Sequence, residues 1–212
     1  PSLGQNIRGS GEADGPDMFE YLRHIQKQLK SIKNEEERKY YALTHADILF
    51  RLGSVDAALT QFKLLADTYG YDDAGNLANF AAGLIEISTH KFHLAQVRLT
   101  RQLEQLPERH PFAPYVRLAV AETHLATGRY KQADQLLDRS DFPPTLNQAV
   151  ELRRADYGFA TGRLDEAFVT YDQFYGSDVM AAKPHSINNY CSMLFNRQAY
   201  AKSRQCYLNV AS

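Results

Sequence analysis

The sequence contains no tryptophan, only two cysteines and no excess of charge of either sign. Its 212 residues include 24 basic and 25 acidic ones, so the formal net charge is −1. This balance argues against a surface built throughout to bind nucleic acid or an anionic membrane. The chain also lacks an apolar run of about 18 residues, so we predict no membrane span. Two cysteines are too few for a disulfide scaffold or a four-cysteine zinc site.

Sequence motifs that carry chemistry are missing as well. There is no glycine-rich phosphate loop, no nucleophile elbow and no paired-carboxylate motif. His90 and His93 are the one closely spaced histidine pair, and no third ligand is fixed near them in the sequence. We therefore predict that the protein is not an enzyme and has no catalytic residue, no metal site and no cofactor.

Cys191 and Cys206 lie on what the pattern predicts to be two neighbouring helices. We expect Cys191 to pack as a small, buried free thiol, because a disulfide would require the second helix to point Cys206 inward. Two free thiols are typical of a reducing cytoplasm, which is the localisation that we predict. A periplasmic protein whose signal peptide has been trimmed is the alternative.

The residues that are present have the pattern of a helical protein. Apolar residues make up 44% of the chain, enough for one or two domains with a hydrophobic core. Residues 1–15 are rich in glycine and serine without a hydrophobic period, so we predict a disordered lead or an expression remnant. An amphipathic helix is predicted over 16–33, opening near Asp17. Asn34 with Glu37 predicts the start of a second helix that runs to about Leu52.

Pairs of small residues, twelve positions apart, recur along the rest of the chain. The second member of each pair returns after 37, 38, 34 and 36 residues. The pairs are Ala46 and Ala58, Gly83 and Ala95, Ala121 and Ala133, Ala155 and Ala167, and Cys191 and Ser203. Small residues allow two helices to approach closely where they cross. This spacing therefore predicts two amphipathic helices per unit, joined by a tight turn.

Other residues keep the same register. Five positions before the second small residue lies a glycine in three copies, with His90 and Gln198 in the other two; the glycines are Gly53, Gly128 and Gly162. In these three copies we expect the glycine to end the first helix with left-handed backbone. Large residues stand three positions before and four after the second small residue, and we expect them to fill space beside the crossing. They are Val55, Phe92, Tyr130, Leu164 and Tyr200, then Phe62, Leu99, Leu137, Tyr171 and Tyr207.

This pattern resembles the tetratricopeptide repeat (TPR), a helix–turn–helix unit of 34 residues. The clearest copies are Ala121–His124–Gly128–Tyr130–Ala133 and Ala155–Gly158–Gly162–Leu164–Ala167. The resemblance implies an all-α fold, a right-handed superhelix of stacked antiparallel helix pairs. We predict five repeats, over 34–70, 74–107, 112–141, 145–176 and 184–212. The helix over 16–33 either caps the first repeat or docks elsewhere, and we expect the chain to be a fragment of a longer protein.

In proteins that this sequence resembles, the first helix of each repeat lines a concave groove that holds a peptide or a partner helix. Carrying over the groove positions predicts a binding surface of fourteen residues. They are Tyr40, Leu43, Asp47, Phe50, Phe80, Leu84, Ile87, Tyr115, Leu118, Glu122, Leu152, Asp156, Phe159 and Phe195. The carboxylate clamp of chaperone-binding members is not expected, because its positions carry Leu43, Asp47, Phe80 and Leu84 instead of cations.

The resemblance therefore implies a scaffold or adaptor that binds a protein or peptide. The composition of the groove favours an apolar or amphipathic, mildly basic segment, because burial supplies affinity and the carboxylates set register. The alternative is a structural module that mediates self-association, or one that organises another domain of the same polypeptide within a larger assembly. Nucleic acid is not an expected partner, since the groove is neither polar nor positively charged.

Overall fold

The computed structural model of the chain describes residues 15–139 and 141–211, which form twelve α-helices, one short 3₁₀ helix and no strand. The predicted all-α class is confirmed. The predicted disordered lead lies outside the described residues, except for Gly15. That residue begins the first helix, two positions earlier than the predicted start near Asp17.

The chain divides into two compact units, Pro1–Pro107 and Glu108–Ser212. Within each unit, most helices that follow one another along the chain pack together, and in the second unit α9 also contacts α11. The helices of the first unit are α1 (Gly15–Ser31), α2 (Glu35–Arg51), α3 (Val55–Tyr69), α4 (Asp73–Ser88) and α5 (Phe92–Gln105). Those of the second are α6 (Ala113–Ala126), α7 (Tyr130–Leu137), α8 (Asn147–Ala160), α9 (Leu164–Phe174), α10 (Asp178–Ala181), α11 (Pro184–Asn196) and α12 (Tyr200–Ala211).

The helices that carry the paired small residues are α2–α3, α4–α5, α6–α7, α8–α9 and α11–α12. The leading helix α1 packs against α2. Asn34 caps α2 as its sequence suggests, since its side-chain oxygen accepts hydrogen bonds from the backbone N–H groups of Glu36 (2.9 Å) and Glu37 (3.2 Å). The repeat pattern did not predict two short elements, the 3₁₀ helix Pro144–Leu146 before α8 and the helix α10 before α11.

The small residues of each predicted pair are buried at the helix crossings. At Gly83 the fit is tight, because a Cβ atom there would lie 2.6 Å from Leu99 Cδ2. Around Ala46 and Ala58, buried residues of α2, α3 and α4 form one apolar cluster that includes Phe62. The paired helices are therefore held at close range, as the spacing of small residues predicts.

All five turns have the same backbone geometry. The residue five positions before the second small residue has positive φ in every pair: Gly53 (78°), His90 (59°), Gly128 (72°), Gly162 (86°) and Gln198 (62°). The following N–H always bonds a carbonyl in the last turn of the first helix; for example, Arg129 N lies 2.8 Å from His124 O. The prediction of left-handed backbone is confirmed for the three glycines, and His90 and Gln198, for which it was not predicted, adopt it as well.

The predicted role of the large residues is wrong in four places. Tyr130, Leu164 and Tyr200 are exposed, although Val55 and Phe92 at the same position are half-buried. Tyr207 is exposed as well. Its counterparts Phe62, Leu137 and Tyr171 pack in clusters that include the next repeat, and no helix follows α12 in the described part of the chain.

The expectation of two free thiols is also wrong. Cys191 and Cys206 are joined in a disulfide, with their Cα atoms 5.5 Å apart. Both residues are buried, so α12 does point Cys206 inward toward α11. The disulfide links the two helices of one pair across the turn at Gln198. A cytoplasmic localisation can therefore no longer be argued from free thiols.

Candidate functional site

In the first unit, the predicted groove residues lie on α2 and α4, which contact each other. Their accessibility differs. Tyr40 is exposed, and Asp47, Phe50 and Leu84 are half-buried, whereas Leu43, Phe80 and Ile87 are buried. Leu43 belongs to the apolar core of this unit, and Phe50 packs against that core. Only part of the predicted surface is therefore accessible to a partner without movement of the helices.

In the second unit, the predicted residues lie on α6, α8 and α11, and α8 contacts both of the others. Tyr115 and Phe195 are exposed, and Leu118, Glu122 and Phe159 are half-buried. Leu152 and Asp156 are buried in the interior of the unit. The Tyr115 ring stacks on Phe112 at a centroid distance of 6.1 Å, and the Phe195 ring meets the edge of Tyr200 at 5.2 Å. Each exposed ring is thus held by an aromatic neighbour.

The three carboxylates of the predicted groove are all paired within the chain. Asp47 accepts a hydrogen bond from Arg51 Nε at 2.7 Å, one helical turn away on α2. Glu122 lies 2.6 Å from Lys183 Nζ, and Asp156 lies 2.9 Å from Arg153 Nη1. Their negative charges are therefore compensated without a bound partner.

In the second unit these pairs belong to one buried polar network. Asp156 accepts hydrogen bonds from the Tyr171 hydroxyl at 2.7 Å and from Ser186 Oγ at 3.1 Å. Arg153 donates to Ser186 Oγ at 2.9 Å and lies 3.8 Å from Glu122. Residues of α6, α8, α9 and α11 are joined in this way, so every buried charge in the network has a partner of opposite sign.

The network also determines the protonation of its members. Burial by itself would raise the pKa of Glu122, but the positive charges of Lys183 and Arg153 outweigh burial and hold that pKa below its ordinary value. Burial and the neighbouring Asp156 carboxylate raise the pKa of Tyr171. Glu122 is thus ionised and Tyr171 neutral near pH 7, the states that the hydrogen bonds require.

The sequence analysis did not predict the two cations of this network, Arg153 and Lys183. Arg153 is three residues before Asp156 on α8, a spacing that places both on one helix face and could have suggested the pair. Lys183 is 61 residues from Glu122 and precedes α11, so no local pattern predicts their contact. Ser186 likewise carries no signal of its own. The sequence alone therefore did not show that the groove carboxylates form ion pairs within the chain.

Two structural features bear on other kinds of site. Within residues 15–139 and 141–211, no group of three or more His, Cys, Asp or Glu side chains is placed to hold a metal ion. His90 occupies a turn, and its ring meets the edge of Phe92 at 5.6 Å. None of the described helices has both the length and the apolar content needed to cross a bilayer.

The fold matches solved structures, although no family model matches the chain. No curated protein has a significant sequence match to it either. A tetratricopeptide repeat protein from Parabacteroides merdae is 12% identical with a TM-score of 0.65, over 93% of this chain and 73% of that one. A candidate kinesin light chain from Podosopora anserina, with nearly identical TPR-like repeats, is 14% identical with a TM-score of 0.55, over 85% of this chain and 96% of that one. The predicted TPR-like fold is confirmed.

Proposed function

We propose that this TPR-like chain is a non-catalytic scaffold that binds a segment of a protein partner on its first helices. Folds of this type commonly present side chains of successive helices as an extended recognition surface. The observation that carries the proposal is the exposure of Tyr40, Tyr115 and Phe195, three aromatic residues on first helices. Aromatic side chains are enriched among the residues that dominate binding energy, because they bury a large area at a low cost in side-chain entropy.

The accessible residues favour an apolar or amphipathic segment. Tyr40, Phe50 and Leu84 in the first unit, and Tyr115 and Leu118 in the second, offer apolar surface to such a segment. Because the groove carboxylates already have cationic partners in the chain, we no longer expect the segment to need basic residues. Burial of apolar surface would provide most of its affinity.

Three arginines of the second unit support a protein partner over a nucleic acid. Arg117 pairs with Asp141 at 2.7 Å, and Arg139 lies within 3.3 Å of the same carboxylate. Arg153 is buried against Asp156. Arginines that already neutralise carboxylates leave little net positive charge for phosphates.

Charge substitution of exposed aromatics tests the proposal. Tyr115→Asp removes a ring on the first helix α6, and Tyr130→Asp is its matched control, since the two tyrosines are 36% and 37% exposed in the same unit. Both chains should remain helical by circular dichroism. In affinity capture from a native lysate, followed by direct titration of the purified partner, Tyr115→Asp should weaken binding about tenfold or more. Equal binding by the two variants would refute a site on this surface, and Tyr40→Asp tests the first unit in the same way.

Self-association is the second candidate, favoured by the exposed Phe195–Tyr200 ring pair. Two such rings close together form an apolar patch that a second copy could cover. Light scattering over a range of concentrations should then show a dimer that Phe195→Asp converts to monomer. If the chain is a monomer at every concentration, self-association is refuted and the scaffold proposal is unaffected.

For the compartment, we propose an oxidising environment in place of the cytoplasm. A disulfide such as Cys191–Cys206 persists where thiols are not kept reduced. Chain isolated from its native source, alkylated without reductant, should carry no label on either cysteine in mass spectrometry. Labelling of both cysteines would refute an oxidising compartment and would favour the cytoplasm instead.

A further inference from the structure

A cleft of about 480 Å³ lies in the first unit, outside the surface discussed above. It opens between the second helices α3 and α5, and α4 contributes Asn76, Asn79 and Glu86 to its wall. None of these three α4 residues belongs to the predicted groove. The volume falls in the range of roughly 300–1,000 Å³ that is typical of specific ligand sites.

A buried carboxylate organises the interior of the cleft. Glu86, almost fully buried on α4, lies 3.0 Å from Lys63 Nζ of α3 and 3.0 Å from Arg98 Nε of α5. Arg98 Nη2 donates to the other carboxylate oxygen of Glu86 at 3.3 Å, and its Nη1 donates to Asn79 Oδ1 at 2.9 Å. Asn79 in turn donates to Gln102 Oε1 at 3.3 Å. The two cations are therefore held in place before any ligand arrives.

The charge that the cleft presents to solvent is positive. Lys63, Arg98 and Arg101 line it together with Asp67 and Glu86. The side chain of Glu86 is only 1% exposed, whereas those of Lys63 and Arg98 remain 38% and 21% exposed. No ion pair within the described residues engages Arg101. The cations thus exceed the accessible carboxylates, and an anionic group would find charge-assisted donors here.

The rim of the cleft is apolar. Leu94 and Val97 stand on the same face of α5 as Arg101, and Tyr71 lies across from them after α3. All three apolar side chains are more than half exposed, with Val97 at 72%. These three side chains give the cleft an apolar contact surface beside its cations.

We propose that this cleft binds an acidic segment of a protein partner in which a carboxylate side chain lies beside aliphatic ones. The carboxylate accepts hydrogen bonds from Arg101 and Arg98, and the aliphatic side chains pack on Leu94 and Val97. The site goes beyond the scaffold surface proposed above, because it uses the second helices and selects for negative charge. One chain can accordingly hold two different segments at once.

The probe that tests the site is a fluorescein-labelled heptapeptide of alternating leucine and glutamate between terminal serines, followed by fluorescence anisotropy. The cleft variants are Arg101→Glu and Val97→Asp. Their matched controls are Arg204→Glu and Val169→Asp, which change an exposed arginine and an exposed valine in the other unit. All four positions are exposed, so each variant should fold, as circular dichroism and thermal unfolding will verify.

Wild type and both controls should bind the peptide with a Kd below ~1 mM. Each cleft variant should raise that Kd about tenfold, as should replacement of the peptide glutamates by glutamine. Absence of wild-type binding, or equal binding by wild type and cleft variants, overturns the proposal. Tyr115→Asp, which tests the first-helix surface, should leave peptide binding unchanged. Loss of binding in that variant would assign the peptide to the first-helix surface and refute the cleft.

Discussion

The left-handed turn between paired helices leads to a sharp prediction at Gly128. Its φ is 72°, and a Cβ atom added there would have no neighbour within 4 Å. The Gly128→Ala substitution therefore changes the backbone energy and creates no clash. A left-handed conformation costs an L-residue roughly 1–2 kcal/mol. The loss of chain entropy in the unfolded state offsets about 0.4–1 kcal/mol of that cost.

The net expectation is destabilisation by about 1 kcal/mol, which corresponds to a Tm lower by roughly 2–4 °C for a chain of this length. The reverse change is available in the same molecule, because Gln198 has a φ of 62° and is exposed. Gln198→Gly relieves the strain and should raise the free energy of unfolding by about 0.5–1 kcal/mol.

Urea unfolding followed by far-ultraviolet circular dichroism measures both effects as shifts of the midpoint at constant slope. Gly128→Asn serves as the control, because asparagine tolerates left-handed backbone better than alanine although it is larger. It should cost less than Gly128→Ala. If the asparagine variant is the less stable of the two, or if Gly128→Ala leaves the midpoint unchanged, the assigned role of the backbone is refuted.

Three other measurements test the packing and the polar network. Gly83→Ala places a Cβ atom 2.6 Å from the Leu99 side chain and should lower the free energy of unfolding by about 1–3 kcal/mol in urea. Tyr171→Phe removes the hydroxyl that donates to buried Asp156 and should cost about 1–3 kcal/mol, seen as a lower Tm; no change would show that the bond contributes nothing. Because the folded chain holds the pKa of Glu122 below 4.5, the stability it contributes is complete above that value and is lost as pH falls through the lower, folded pKa. Thermal unfolding against pH should show this decline, and Glu122→Gln should flatten it.

The glycines predicted left-handed backbone in three of the five turns, and the structure shows it in all five. His90 and Gln198 lack the conformational freedom of glycine, yet both have positive φ. They do so because their place between two closely packed helices requires the same turn that glycine makes in the other three pairs. The residue type alone would have predicted ordinary backbone at both positions. The position within the repeat, and not the residue type, accounts for the backbone at these two turns.

The accessibility of the predicted groove could not be obtained in the same way. A helical offset states which face a residue occupies, but not how closely the next helix approaches that face. Leu152 and Asp156 lie at the offsets of a groove and are nevertheless buried, since neighbouring helices close over them. Polar partners are equally hard to foresee when they are distant in sequence, as Lys183 is from Glu122.

That distant pair has a consequence for how the second unit comes apart. Repeats that touch only their nearest neighbours can open one after another from an end, because each interface breaks independently. Lys183 and Glu122 are an exception, because their ion pair connects the residue just before α11 to α6 across the intervening pair α8–α9. Opening either end breaks this ion pair, so the free energy needed to open one end includes the loss of a contact with the other. The three helix pairs of this unit should therefore open as one cooperative block, with backbone amides of α6 and α11 exchanging with solvent at the same free energy.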